Sequence, residues 1–199
     1  MFDLNGKDFQ ETSIFNNGKA GLVKDVTISV ELRGPSEPET YAPYRLVVAD
    51  STGAVVKGWF NYPTDNEQKT KEQNEAAAKR EVSRVLHIAR AVMGADYKFP
   101  AIKTAKEALD VLFKLVGDNA GSKKYNVFVT YGTKSYPNKK GYLNLRYFNF
   151  IEDASTGVSK LRASDADLLE RVVADDENGN VSIFPASQSG DTTDWTEEL

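Results

Sequence analysis

The chain has 199 residues, no cysteine, and 25 Lys and Arg against 29 Asp and Glu. This excludes disulfides, thiolate metal sites and cysteine nucleophiles, and no stretch approaches the roughly eighteen apolar residues of a membrane span. The net charge of −4 conceals an asymmetry. Residues 164–199 hold ten acids and one base, so the body before them is +5, a pattern that points to a nucleic-acid ligand.

The N-terminus, Met1-Phe2-Asp3-Leu4-Asn5-Gly6-Lys7, lacks the basic start and apolar run of a secretory signal. With no cysteine to protect, a cytoplasmic setting is expected. The length fits one domain, residues 1–174, followed by an acidic tail, residues 175–199.

Asn16-Asn17-Gly18 is a turn signal. A strand pattern follows over residues 25–32, where Val26, Ile28, Val30 and Leu32 alternate with Asp25, Thr27, Ser29 and Glu31. Arg33-Gly34-Pro35 stops it, and Pro35, Pro38 and Pro43 punctuate the next loop. Further strands are predicted over residues 44–49 and 54–62, joined as a hairpin by the Asp50-Ser51-Thr52-Gly53 turn.

The period then changes to 3.6. Thr64-x-x-Glu67 is a capping-box signature, and Ala78, Val82, Val85, Leu86, Ala89, Val92 and Met93 form one apolar stripe ahead of Gly94. A second box, Thr104-x-x-Glu107, opens a helix with Ala108, Leu109, Leu112, Phe113 and Val116 inward and Gly117 at its end. Strands resume over residues 123–131 and 141–151, around a long tip containing Pro137 and Asn138. A short helix is predicted over residues 164–174, with Leu168, Leu169, Val172 and Val173 on one side. The tail carries one apolar island, Val181, Ile183 and Phe184, and its last fourteen residues have too little apolar surface to pack. The fold expected is mainly β with a helical insert. Three strands, helices, two strands, a short helix and a tail match a five-stranded Greek-key barrel of the OB type.

Residues 123–150 carry the strongest chemical signal. They contain six bases (Lys123, Lys124, Lys134, Lys139, Lys140, Arg146), eight aromatics and no acid. Cations neutralise phosphates and aromatic faces stack on unpaired bases, so their interleaving suits a single-strand groove. Strand parity assigns Leu143, Leu145 and Tyr147 to the core, and Tyr142, Asn144, Arg146 and Phe148 to the other face. In the third strand Val56 and Phe60 face the core while Lys57, Trp59 and Asn61 face outward. The tip supplies Lys134, Tyr136, Lys139 and Lys140, and the Pro-rich loop supplies Tyr41. Most strand aromatics enter a core, and Tyr125, Phe128 and Tyr147 are read so.

Catalytic sets are absent from this reading. His87, the single histidine, lies mid-helix with no nucleophile to activate. No carboxylate cluster suggests two metals, and no glycine-rich phosphate loop occurs. Asp176-Glu177-Asn178-Gly179-Asn180 is loosely calcium-like but lacks the closing acid of such a loop. A non-enzymatic protein without cofactor or metal is expected. The tail ends Asp191-Thr192-Thr193-Asp194-Trp195-Thr196-Glu197-Glu198-Leu199. Trp195 there has no core to join, so Asp191, Asp194, Trp195, Glu197, Glu198 and Leu199 form a candidate docking segment for a partner.

The Lys/Tyr hairpin 123–150, the Lys57-Gly58-Trp59-Phe60 strand and the acidic aromatic tail together resemble bacteriophage single-stranded DNA-binding proteins, which have an OB-fold and an acidic C-terminus. The resemblance implies a non-enzymatic protein that coats exposed DNA during replication, recombination or repair in the cytoplasm of a bacterial host. It also implies recruitment of replication or recombination proteins through the tail. The insert of about sixty residues is longer than a minimal OB helix, and Leu199 stands where some relatives end in phenylalanine. RNA is an alternative ligand, because stacking does not distinguish sugars. A phage structural or adaptor protein, using the aromatic hairpin for protein contacts, is the alternative function.

Overall fold

The structure, a computed structural model, describes residues 14–33, 42–60, 67–138, 141–175 and 180–184. Strands β1 (Gly21–Leu32), β2 (Tyr44–Ala49) and β3 (Val55–Gly58) form an antiparallel meander. Its register sets Ile28 against Val48 and Val48 against Val56, so the buried side chains share one face. Helices α1 (Lys71–Met93) and α2 (Ala105–Asn119) follow. The chain returns as β4 (Tyr125–Thr130), antiparallel to the other side of β1. The spatial order β4-β1-β2-β3 is a Greek key.

β1 serves both halves of the sheet. Its first residues pair with β4 and its last with β2, and the register shifts between Val23 and Val26, where Asp25 has φ +57°. Such a bulge bends and twists a strand. The two-residue alternation in the sequence begins only past this bend. β4 is buried along its whole length: Tyr125, Val127 and Val129 join the core, and on the other face Phe128 lies beneath Arg146 and Asn126 bonds Glu152.

The far edge is shorter than its sequence suggests. Residues 141–151 do not form one strand: β5 (Asn144–Leu145) and β6 (Ile151–Asp153) pair separately with β4. Between them Asn149 adopts φ +46°, a left-handed conformation that breaks the ladder. β3 and β5 end the sheet path, and no backbone ladder joins them among the described residues. They nevertheless approach through side chains: a Cβ added at Gly58 would lie 2.9 Å from Leu145 Cδ1. The sheet is thus open in its hydrogen bonding and curled in its packing.

The core lies between the sheet and the helices. Val26, Ile28, Leu46, Val48, Val56 and Phe60 meet Val85, Ile88, Val92, Leu109, Leu112 and Val116. Phe60 packs edge-on against Phe113, with centroids 5.4 Å apart. α1 is capped by Thr70, not Thr64. Thr70 Oγ1 accepts from Gln73 N at 3.3 Å, and Gln73 Oε1 accepts from Thr70 N at 3.0 Å. Thr64 lies outside the described residues. Thr104 caps α2 as expected, and Gly94 ends α1 with φ +104°. α2 continues through Gly117 to Asn119, because glycine weakens a helix without stopping it.

The helix expected over residues 164–174 does not form. Residues Arg171–Asp175 are instead strand β7, paired with β8 (Asn180–Phe184) as a separate hairpin. Val172 pairs with Ile183 and Ala174 with Val181, and β-branched valine and isoleucine favour strand over helix. Local spacing over one turn of helix resembled amphipathicity, and cross-strand pairing outweighed it. β8 occupies the apolar island of the segment expected to be tail.

Candidate nucleic-acid interface

The outward face of β1–β3 alternates with the core face just described. Glu31 sits opposite Arg45, and Val47 opposite Lys57, so Glu31, Arg45, Lys57 and Trp59 share one side. Trp59 follows β3 and is 43% exposed. The Arg33 guanidinium lies 4.8 Å from its ring centroid and that of Arg45 5.1 Å. Cations at this range are attracted to the π-face and hold the indole in place. Glu31 bridges the other charges: Oε1 binds Arg45 at 2.6 Å and Oε2 binds Lys57 at 2.9 Å. Hydrogen bonds from Arg45 and then Lys57 lower its pKa to about 2.

Beneath Trp59, α1 contributes Arg84, which is almost wholly buried. Its Nη1 donates to the Trp59 carbonyl at 3.1 Å. Its guanidinium lies 4.2 Å from the Phe60 ring and 4.8 Å from that of Tyr147. Glu81 is its charge partner at 3.6 Å. Burial pushes the Glu81 carboxyl up, against the pull of Arg84. Arg84 thereby fixes Trp59 and Tyr147 relative to each other from below. Lys57, Trp59, Asn144 and Tyr147 line a small cleft between the two ends of the sheet.

The β4–β5 loop is held upright by backbone pairing. Thr133 N donates to the Tyr136 carbonyl and Tyr136 N to the Thr133 carbonyl, closing a tight tip. The segment 166–168 pairs alongside it, with Lys134 N donating to the Ala166 carbonyl at 3.0 Å and Leu168 N to that of Gly132 at 3.1 Å. Gly132 is required here. Its φ is +105°, and an added Cβ would meet the Tyr136 carbonyl oxygen at 2.5 Å. Tyr136 is 84% exposed at this tip, Tyr142 is 67% exposed, and Lys134 is exposed between them and the sheet segment.

The predicted residues therefore divide. Lys57, Trp59, Lys134, Tyr136, Tyr142 and Phe148 all present surface. Arg146 is engaged within the protein. Nε donates to the Phe148 carbonyl at 2.9 Å, and Nη1 to the Arg162 carbonyl at 2.7 Å and to Asp167 Oδ2 at 3.0 Å. Nη2 donates to the Asn149 carbonyl, and Phe128 lies 4.4 Å below the guanidinium. Tyr125 and Phe128 are core, as expected, whereas Tyr147 is 44% exposed and meets Phe148 edge-on at 4.5 Å. The alternation that placed Tyr147 inside fails where β5 ends at Leu145. Tyr41, Asn61, Lys139 and Lys140 lie outside the described residues, as do Asp191, Asp194, Trp195, Glu197, Glu198 and Leu199.

Arg33, Arg45 and Arg84 were missed by the sequence reading. Arg45 was visible as an outward position opposite Glu31 on a predicted strand. Arg84 was not, since a cation in a charged helix resembles a solvated face. His87 is half-buried against Phe150, and burial lowers its pKa, which keeps the imidazole neutral near pH 7. Among the described residues no group of three or more His, Asp or Glu side chains could share a metal ion, and no helix is long and apolar enough to cross a membrane. Comparison with protein-family models, curated proteins and solved structures finds no match to this chain.

Proposed function

We propose that the protein binds single-stranded DNA without strong sequence preference, as a non-enzymatic accessory of phage replication, recombination or repair. The observation that carries this reading is the exposed Trp59, flanked by two guanidiniums and Lys57 on the outer face of β2–β3. In an OB-fold that face and the loop after the fourth strand bind oligonucleotides, and here that loop presents Lys134 and Tyr136. The Greek-key order and the approach of Leu145 to Gly58 support a partly open OB-type barrel. Stacking on Trp59, Tyr136 and Tyr142 would be indifferent to base identity, because every base has a π-face. The acidic tail would recruit partner proteins, and the setting would be the cytoplasm of the bacterial host.

Titration with oligo-dT tests the reading. Binding should quench tryptophan and tyrosine fluorescence. With about five cations on the strand, log K should fall with log salt at a slope near −3 to −4. Trp59→Ala should weaken binding by about 1–3 kcal/mol. A flat salt response without quenching refutes it. Concentration-dependent self-assembly indifferent to oligonucleotide would favour the structural or adaptor protein instead.

A further inference from the structure

Past Tyr147 the surface opens into a cleft of about 700 Å³. One wall is the β5–β6 turn, with Tyr147 and the 40% exposed Phe148. The other is the segment around Leu161, with Lys160 and Arg162, both exposed. His87 of α1 closes the back. The size suits a small planar ligand group, and an aromatic wall with a few polar groups is the usual form of such sites.

The charges of the lining favour an anion at the rim. Two carboxylates are present and both are already engaged. Asp167 binds Arg146 and accepts from Ser164 N at 2.8 Å. Glu152 accepts from Asn126 Nδ2 at 3.1 Å and from Lys160 N at 3.0 Å. Neither the Lys160 ammonium nor the Arg162 guanidinium forms an ion pair among the described residues. Arg162 Nη1 donates to its neighbour, the Leu161 carbonyl, at 2.8 Å, and the guanidinium also attracts the Glu152 carboxylate at longer range. Tyr147 is also a wall of the cleft beside Trp59. A strand lying on the Trp59 face therefore reaches this second cleft by passing one side chain.

We infer that the cleft is a nucleotide subsite of the same path, in which Phe148 stacks one unpaired base while Lys160 and Arg162 take the flanking phosphates. The inference rests on the single-strand reading of the Trp59 face. It extends that path beyond the sheet to Lys160 and Arg162, which the sequence pattern did not single out.

The test uses the full chain and oligo-dT of about 20 nucleotides. Each phosphate contact on a single strand contributes about 0.7 to the salt slope. The Lys160→Gln/Arg162→Gln variant should therefore lower it by about 1.4. Phe148→Ala should weaken binding by about 5- to 150-fold, the range expected for one lost stacking platform, and Phe148→Trp should restore it. Ultraviolet cross-linking should join thymine to the peptide containing Tyr147 and Phe148. If the unaltered protein binds and Trp59→Ala weakens it, but slope, Phe148→Ala affinity and cross-links ignore the cleft, this inference alone is overturned. If the unaltered protein does not bind, the underlying reading falls with it.

Discussion

Glu31 is the residue on which the candidate face turns. It is an acid on a face that otherwise carries Arg45 and Lys57, and each of its carboxylate oxygens holds one of these cations. That is the arrangement a phosphate would make, so under the single-strand proposal Glu31 would be a resident anion for an incoming strand to displace. Glu31→Gln keeps the shape and removes the charge. It should raise oligo-dT affinity and steepen the salt slope, by up to about 1.4 if both cations then meet phosphates. A fall in affinity would show instead that Glu31 positions the two cations. Its folded-state pKa, about 2, is depressed from 4.5. The stabilisation from these pairs is present above the unfolded value and is lost as pH falls from about 4.5 towards 2. Near neutral pH Glu31 stays ionised. The strand pattern at residues 25–32 made Glu31 outward-facing, but its two partners come from other strands, which a linear pattern does not align.

At the scale of elements, the turn after β5 shows where reading by alternation stops. Period two placed Arg146 outward and Tyr147 inward. The strand lasts two residues, Asn144–Leu145, and the turn behind it inverts both assignments. Arg146 then ties the turn to the segment 162–167 through an ion pair with Asp167, whose side chain is 3% exposed. Removing one partner of a buried pair leaves the other charge without compensation, at about 3–5 kcal/mol. Arg146→Gln should thus destabilise the protein by about that much in denaturant unfolding. Arg146→Gln/Asp167→Asn should recover part of it. A surface-phosphate role for Arg146 would leave the stability of the single variant unchanged. The same pairing logic replaced the expected helix at 164–174. Residues 166–168 hold the β4–β5 tip, and residues from Arg171 pair with β8. Helical spacing over a few residues is a weak signal against two independent sets of cross-strand bonds.

For the whole molecule, the charge asymmetry is the property that composition stated best. The net charge of −4 belongs to a basic body and an acidic end. Deleting residues 187–199 removes four acids and no base. If the tail competes for the basic face, the shortened chain should bind oligo-dT more tightly at low salt, with the difference fading as salt screens it. Equal affinity at low salt would refute self-competition.

The sequence by itself determined the succession of strands and helices as far as β4, the Thr104 cap and Gly94 stop, most of the core, and the concentration of cations and aromatics in residues 123–150. Each of these is a local property, fixed by periodicity, by cap chemistry or by composition. Only the tertiary structure decided which cations are available. It withdrew Arg146 into a buried pair, brought the Arg33 and Arg45 guanidiniums against the Trp59 ring, and set Arg84 beneath it. It also placed Lys160 and Arg162 in the lining of the same cleft as Phe148. The physical reason is that an ion pair or a cation–π contact depends on distances of a few ångströms between residues far apart in the chain. Strand register, one bulge at Asp25 and one left-handed residue at Asn149 set those distances.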